Sequence, residues 1–184
     1  MWNQRHAQAE NLGQVADVLA QNSHLITPGS SALDLACGRG ANALYMGRAG
    51  LNVTAWDLSP VAIARLTAAA TAEGLEIIAK ARDVIAKPPE PETYDLIVVS
   101  YFLDRGLAPA IAAALKPAGL LFYQTYSQAA VSDTGPASCE YRLDDNELLS
   151  LFASLKVRVY REERLLGDIQ QGWRDRAMLV AEKL

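Results

Sequence analysis

Along this chain the spacing of hydrophobic positions switches repeatedly between a period of two and a period near four. Residues 31–36 are a short apolar run with Thr27-Pro28-Gly29-Ser30 before it and a glycine turn after it, which predicts a strand. Comparable runs predict strands at 52–57, 75–79, 95–100, 120–126, 156–161 and 176–182. Asp95-Leu-Ile-Val-Val-Ser100 is unbroken, as in a strand buried on both faces, whereas Val157 and Val159 flank Arg158, as in a half-exposed strand near an edge. Between these lie helical patterns. One covers residues 7–22, with Leu12, Val15 and Leu19 on one stripe, and another covers 42–49, ended by Gly50. A third follows Ser59-Pro60, an N-cap and a first-turn proline, and stops at Gly74. Two more span 107–115 and 144–151, the latter capped by Asp144 or Asp145. Residues 87–92 read as a loop, and 128–139 as a longer one that is either a plain connection or a lid. Strands alternating with helices throughout predict a doubly wound α/β sheet in one domain, residues 1–184.

Chemistry concentrates where the first predicted strand ends. Gly38 and Gly40 sit two apart, so the backbone can turn sharply and approach a ligand with no Cβ in the way. Asp57 closes the second strand, a position from which a carboxylate accepts hydrogen bonds from ribose hydroxyls. Gly38-Arg-Gly40-Ala-Asn-Ala43 satisfies the dinucleotide fingerprint with alanine in the third place. Asp34 argues against a nicotinamide cofactor, because it lies inside a strand where that pattern carries only apolar residues. A buried carboxylate costs several kcal/mol unless paired or hydrogen-bonded. Its job is to order the turn or to meet a cationic ligand group.

Composition narrows the picture further. The chain has 184 residues, a net charge of -4 and about half apolar residues. It is long enough for one cored domain, and no second domain is left over for a hydride acceptor. There is no basic footprint for generic nucleic-acid binding, so a nucleic-acid partner is not expected. The polar start MWNQRHAQAE has no apolar core of a leader, and no apolar run nears the roughly 20 residues of a membrane span. A cytoplasmic protein without membrane contact is therefore expected, as a monomer or homodimer. Only Cys37 and Cys139 occur, so a disulfide framework is not expected, and Cys37 reads as a small packed residue rather than a nucleophile. No metal site is expected.

The run Asp34-Leu-Ala-Cys-Gly38-Arg-Gly40 resembles motif I of the Rossmann-like (class I) S-adenosylmethionine-dependent methyltransferases. Arg82-Asp83-Val84 is similar to that family's loop after the third strand, and Tyr94–Ser100 to its motif IV. Leu115–Leu121 is similar to the segment leading into strand five, with Ala118 where glycine is usual. Within the family, Val53-Thr-Ala-Trp-Asp57 and residues 176–183 resemble the tellurite-resistance methyltransferases and their small relatives. The resemblance implies a seven-stranded, mostly parallel sheet with an antiparallel last strand, residues 1–30 forming an N-terminal helical cap. It implies S-adenosyl-L-methionine as cofactor, with Asp57 on the ribose diol, Leu58 on the adenine and Asp83 at the adenine amino group. Val84 would lie against the ring and Asp34 at the methionine amino group. Ala36, Gly38, Gly40, Asn42 and Ser100 complete that set.

For the methyl acceptor, Tyr101, Asp104, Arg105 and Tyr126 lie at the carboxyl edge of the sheet, where ligands bind in such folds. Packing at the strand end is the alternative for Tyr101. His6 and Trp2 fall in the segment that folds over the pocket in many relatives. Neither His6 nor His24 stands at an expected strand end, which favours a soft or already anionic small-molecule acceptor: a thiol, or a selenium or tellurium oxyanion. The alternatives are an RNA or protein acceptor, and a nucleotide-cofactor-binding protein without methyl transfer.

Overall fold

The structure, a computed structural model, describes residues 11–184. Strands β1 (Ser31–Leu35), β2 (Asn52–Asp57), β3 (Ile77–Ala81), β4 (Tyr94–Ser100), β5 (Leu115–Tyr126), β6 (Lys156–Arg161) and β7 (Arg176–Glu182) form one sheet in the order β3-β2-β1-β4-β5-β7-β6. The first five pair in parallel, and β7 runs antiparallel to both β5 and β6. This is the doubly wound sheet expected, with its reversed last strand, and β6 is indeed an exposed edge.

Side chains alternate across the central strands and so build a core on each face. Leu33, Leu35, Ile97, Val99, Leu121, Tyr123 and Leu179 point to one side. There they meet α4 (Ala108–Ala114) and α5 (Glu147–Leu151) through Ile111 and Leu148. Ala32, Val53, Ala55, Leu96, Val98, Phe122 and Val180 point to the other side. They are covered by α1 (Asp17–Gln21), α2 (Ala41–Arg48) and α3 (Pro60–Ala72) through Leu19, Leu44, Met46 and Leu66. Asp34 shares the parity of Ala32, so it is buried beneath that helical layer.

At the amino end of the strands Asp95 ties β1 and β5 to β4 through two neighbours, Ser31 and Lys116. Its Oδ2 accepts from the Ser31 N–H at 2.8 Å, the Ser31 hydroxyl at 2.6 Å and the Lys116 ammonium at 2.9 Å. These bonds, led by the Ser31 hydroxyl, hold its pKa down at about 2.

Several element limits differ from expectation for local reasons. The helix expected over 7–22 is seen as α1 only. Gly13 at φ 93° interrupts the run, and residues 7–10 lie outside the described residues. The third strand starts two residues late because the Leu75 N–H returns to the Ala70 carbonyl and closes α3, with Gly74 left-handed at φ 66°. The N-cap of α5 is Asn146 at φ 57°, not Asp144 or Asp145, and the Asp144 N–H instead donates to the Glu147 carboxylate. The fifth strand begins at Leu115 with a register irregularity against β4, and Ala118 within it sits at φ 62°. Glycine is usual there because an L-residue in that conformation costs roughly 1–2 kcal/mol.

Gly40 of the glycine turn is closely packed. It is left-handed at φ 84°, and a Cβ on it would lie 2.3 Å from Leu66 Cδ1. Left-handed strain plus overpacking predicts that Gly40→Ala lowers the unfolding free energy by about 2–5 kcal/mol in urea denaturation. Adding Leu66→Ala should not recover the loss, because the strain stays and a cavity is added. A loss below about 1 kcal/mol would contradict this account of the turn.

Candidate functional site

The turn between β1 and α2 is held from the next strand. Asp57, 9% exposed, accepts from the Gly38 N–H through Oδ2 at 2.8 Å and from the Ser59 N–H through Oδ1 at 2.8 Å. One carboxylate thus joins the turn after β1 to the cap of α3. Ala36 at φ 56° and Gly38 at φ 54° are both left-handed, so the peptide plane is reoriented just where β1 stops. An alanine at this angle is strained, and such strain clusters at ligand sites. Cys37 between them is buried, and burial pushes its thiol well above its ordinary pKa, so it packs as an inert group.

Asp34 is fully buried. Its Oδ2 accepts from the Ala43 N–H at 3.0 Å, while Oδ1 has no hydrogen-bond partner. Burial pushes its pKa up to about 7 against the lowering effects of the Ala43 N–H and the nearby Asn42 amide, and the Asp57 charge adds a smaller upward push. A hydrogen bond to the buried Oδ1, above all from a cation, is what the site lacks.

Beside Asp57, Leu58 is 60% exposed, an apolar surface at the carboxyl edge. Asp83 lies in the loop after β3 and accepts from the Ile85 and Ala86 N–H groups through Oδ1. It lines a cleft of about 560 Å³ together with Lys80, Arg82 and Glu90. The Val84 side chain is turned into the core with Trp56 and Leu103, so little of it is left for a ligand. Arg82 stacks on the Trp56 ring, 3.8 Å from its centroid.

At the ends of β4 and β5 two of the expected acceptor residues come together. The Tyr101 and Tyr126 rings lie 5.1 Å apart, and Tyr101 is left-handed at φ 57°. The Tyr101 phenol oxygen accepts from the Gln124 amide at 2.7 Å and from the Arg176 guanidinium at 3.0 Å. Arg176 also pairs with Asp17 of α1 at 2.8 Å. Asn42 and Ser100 meet here as well, the Asn42 amide donating to the Ser100 hydroxyl at 2.9 Å. A cavity of about 300 Å³ lies against Tyr126, Ser132, Thr134, Asp175 and Arg176.

Asp104 and Arg105 are engaged elsewhere. Asp104 caps the turn of 105–107 through the Leu107 N–H. Arg105 holds the Glu147 carboxylate at 2.5 Å and the carbonyls of Glu140 and Arg142. It therefore anchors the end of the 128–139 loop to α5. That loop folds back onto Tyr126: a Cβ on Gly135 would lie 2.7 Å from the ring. Asp175 ties it down through the Val131 N–H and the Ser132 hydroxyl. Buried Arg142 holds it through the carbonyls of Ser127, Thr134 and Pro136. His6 and Trp2 lie outside the described residues. Arg176, Asp17 and Gln124 were not anticipated. The signal for Gln124 was available, a lone amide inside the apolar run 120–126, of the same kind that singled out Asp34.

The strand order, the reversed β7 and a glycine turn held by the acid of β2 define the Rossmann-like methyltransferase fold. The profile of the family "Tellurite resistance protein TehB" matches residues 4–172. The chain belongs to the TehB family. A probable S-adenosyl-L-methionine-dependent methyltransferase TehB of Haemophilus influenzae is 31% identical over 86% of this chain and 55% of its own length. Hemagglutinin 1 of Eikenella corrodens is 35% identical over 71% of this chain and 45% of its own. The chain thus spans about half the length of these curated relatives. The crystal structure of TehB from Haemophilus influenzae superposes with a TM-score of 0.77 at 23% identity, covering 100% of this chain and 67% of that one. Among the described residues, no helix is long and apolar enough to cross a membrane.

The unpaired oxygen of Asp34 has a consequence for stability. Well below pH 4 its carboxyl is neutral in both the folded and the unfolded chain. Between about pH 4 and 7 the unfolded chain ionises first, so this group subtracts stability as pH rises, and the loss levels off above pH 7. Relative to Asp34→Asn, the ligand-free protein should lose unfolding free energy steadily across that window in urea titrations. A difference between the two proteins that does not vary with pH would contradict the assignment.

Proposed function

We propose that this chain binds S-adenosyl-L-methionine at the glycine turn and transfers its methyl group to a small-molecule acceptor at the Tyr101–Tyr126 edge. The observation that carries the reading is the pair of acids around the turn. Asp34 Oδ1 is a buried oxygen one hydrogen bond short, suited to a cationic amino group. Asp57 keeps unused acceptor directions on both oxygens for a ribose diol, although each already holds a backbone N–H. Leu58 offers exposed apolar surface for an adenine ring. When bound, the cofactor supplies a methyl group on a sulfonium, and the protein's task is alignment and exclusion of water.

The acceptor edge supports a soft or anionic nucleophile. Among the described residues there, each carboxylate is already engaged: Asp17 with Arg176 and Trp173, Asp104 with its turn, Asp175 with the 128–139 loop. Burial raises the Tyr126 pKa, so its phenol is a poor base. An acceptor that arrives deprotonated, such as a thiolate or a selenium or tellurium oxyanion, needs no base. Because the Tyr101 oxygen accepts from both Gln124 and Arg176, its own proton is left to donate to a lone pair on the acceptor. The loop 128–139, closed over Tyr126, acts as a lid that keeps water from the reacting atoms.

Isothermal titration calorimetry with S-adenosylmethionine and its demethylated product tests the cofactor assignment. Both should bind the wild-type chain, and NAD should not. Asp57→Ala removes a charge-assisted acceptor worth about 1.5–3 kcal/mol, so affinity should fall about 10- to 100-fold. Unchanged affinity would overturn the assignment. Equal binding of NAD would favour a nicotinamide protein instead.

A further inference from the structure

Helix α1 begins at an alanine. Ala16 is its N-cap and offers no side-chain acceptor, so the first N–H groups of the helix need partners from elsewhere. Two buried amides, Asn42 on α2 and Gln124 on β5, supply them. The Ala16 N–H donates to Asn42 Oδ1 at 2.9 Å, and the Val18 N–H donates to Gln124 Oε1 at 2.8 Å. Those contacts also fix the orientation of each amide, because only its oxygen can receive an N–H. Each NH₂ is thereby turned to the end of β4. Asn42 Nδ2 donates to the Ser100 hydroxyl at 2.9 Å, and Gln124 Nε2 to the Tyr101 phenol at 2.7 Å. A third connection runs outside these two, from Asp17 through Arg176 to the same phenol.

We propose that Asn42 and Gln124 are positioning residues that couple the seating of α1 to the geometry of Ser100 and Tyr101, so that the acceptor edge is assembled only when α1 is docked. The identification of that edge rests on the methyl-transfer reading; the coupling itself does not. Asn42 and Gln124 are 5% and 0% exposed with α1 in place, so protein partners rather than water fix the orientation of each amide there. If α1 lifts, two amide oxygens lose their donors and the amides are free to turn. Tyr101 then loses Gln124 and, with Asp17 gone, the ion pair that holds Arg176 in place. Tyr101 is the residue least able to keep its geometry unaided, since its backbone is left-handed. The same N-terminal stretch reaches the glycine turn, where the Arg39 guanidinium donates to the Asn11 carbonyl. Docking of one short helix thus bears on both halves of the site.

Residue-resolved amide hydrogen exchange by NMR on the ligand-free protein tests the coupling in both directions. The Val18 N–H reports on the helix, and the Tyr101 N–H, which donates to the Gln124 carbonyl at 2.8 Å, reports on the strand end. Ile97 in the middle of β4 serves as the reference for any global loss of stability. Ala16→Pro deletes one N–H while keeping the backbone, since φ -64° and ψ 139° suit proline. It should speed exchange at Tyr101 by about fivefold or more relative to Ile97. Tyr101→Phe removes only the hydroxyl and should speed Val18 by a comparable factor, because coupling is reciprocal. Acceleration confined to the amides beside each substitution would overturn the proposal, and so would transmission in one direction only. If Ala16→Pro does not fold, Tyr101→Phe decides alone. Calorimetry with the demethylated cofactor on the wild type separates the outcomes: no binding there would sink the cofactor reading and leave the exchange result intact.

Discussion

The carboxylate of Asp57 is the interaction on which the rest of the site depends. A turn carrying Ala36 and Gly38 in left-handed conformations is not held by its own sequence. It is held because an acid on the neighbouring strand accepts the Gly38 N–H and, with its other oxygen, the Ser59 N–H. Parallel pairing of β1 with β2 makes this possible. The register pairs Leu35 with Trp56, so the turn that follows β1 emerges beside the acid that ends β2. The loops therefore inherit their geometry from a ladder of buried backbone hydrogen bonds, and Asp57 passes it from strand to ligand edge.

Much of this organisation was legible in the sequence, because it is a matter of period. Short apolar runs separated by amphipathic stretches give parallel strands and crossover helices, and Asp34, Gly38, Gly40 and Asp57 stand at the ends and interior of those runs. What escaped was set by contacts distant in sequence. The segment 7–22 has a helical stripe, yet Gly13 breaks it, and Leu12 and Val15 pack against the core without a helix there. Asp104 and Arg105 stand at the right edge by position, but Asp104 caps its own turn through the Leu107 N–H, and α5 with the loop before it takes up the hydrogen bonds of Arg105. Arg176 reads as the ordinary start of a strand. Its importance comes from antiparallel pairing with Tyr126, and from Asp17, 159 residues away. Ala118 reads as a trivial replacement of glycine, and only its φ of 62° reveals the strain it accepts.

A common physical thread links the polar groups that matter most. Asp34, Asn42 and Gln124 are buried among apolar side chains, where an unmatched donor or acceptor is expensive. Asn42 and Gln124 are satisfied on both sides, and they draw the N-terminal helix and the strand end into one arrangement. Asp34 is satisfied on one side only. The amides at the acceptor edge are thus satisfied while the turn is left one hydrogen bond short, an asymmetry that suits a site receiving a cation.

The most direct test is a crystal structure of the chain grown with the demethylated cofactor. The account predicts the ribose diol on Asp57, the amino group on the free oxygen of Asp34, and the sulfur directed toward Tyr101. A ligand seated away from the glycine turn, or one whose amino group leaves Asp34 Oδ1 unpartnered, would contradict it.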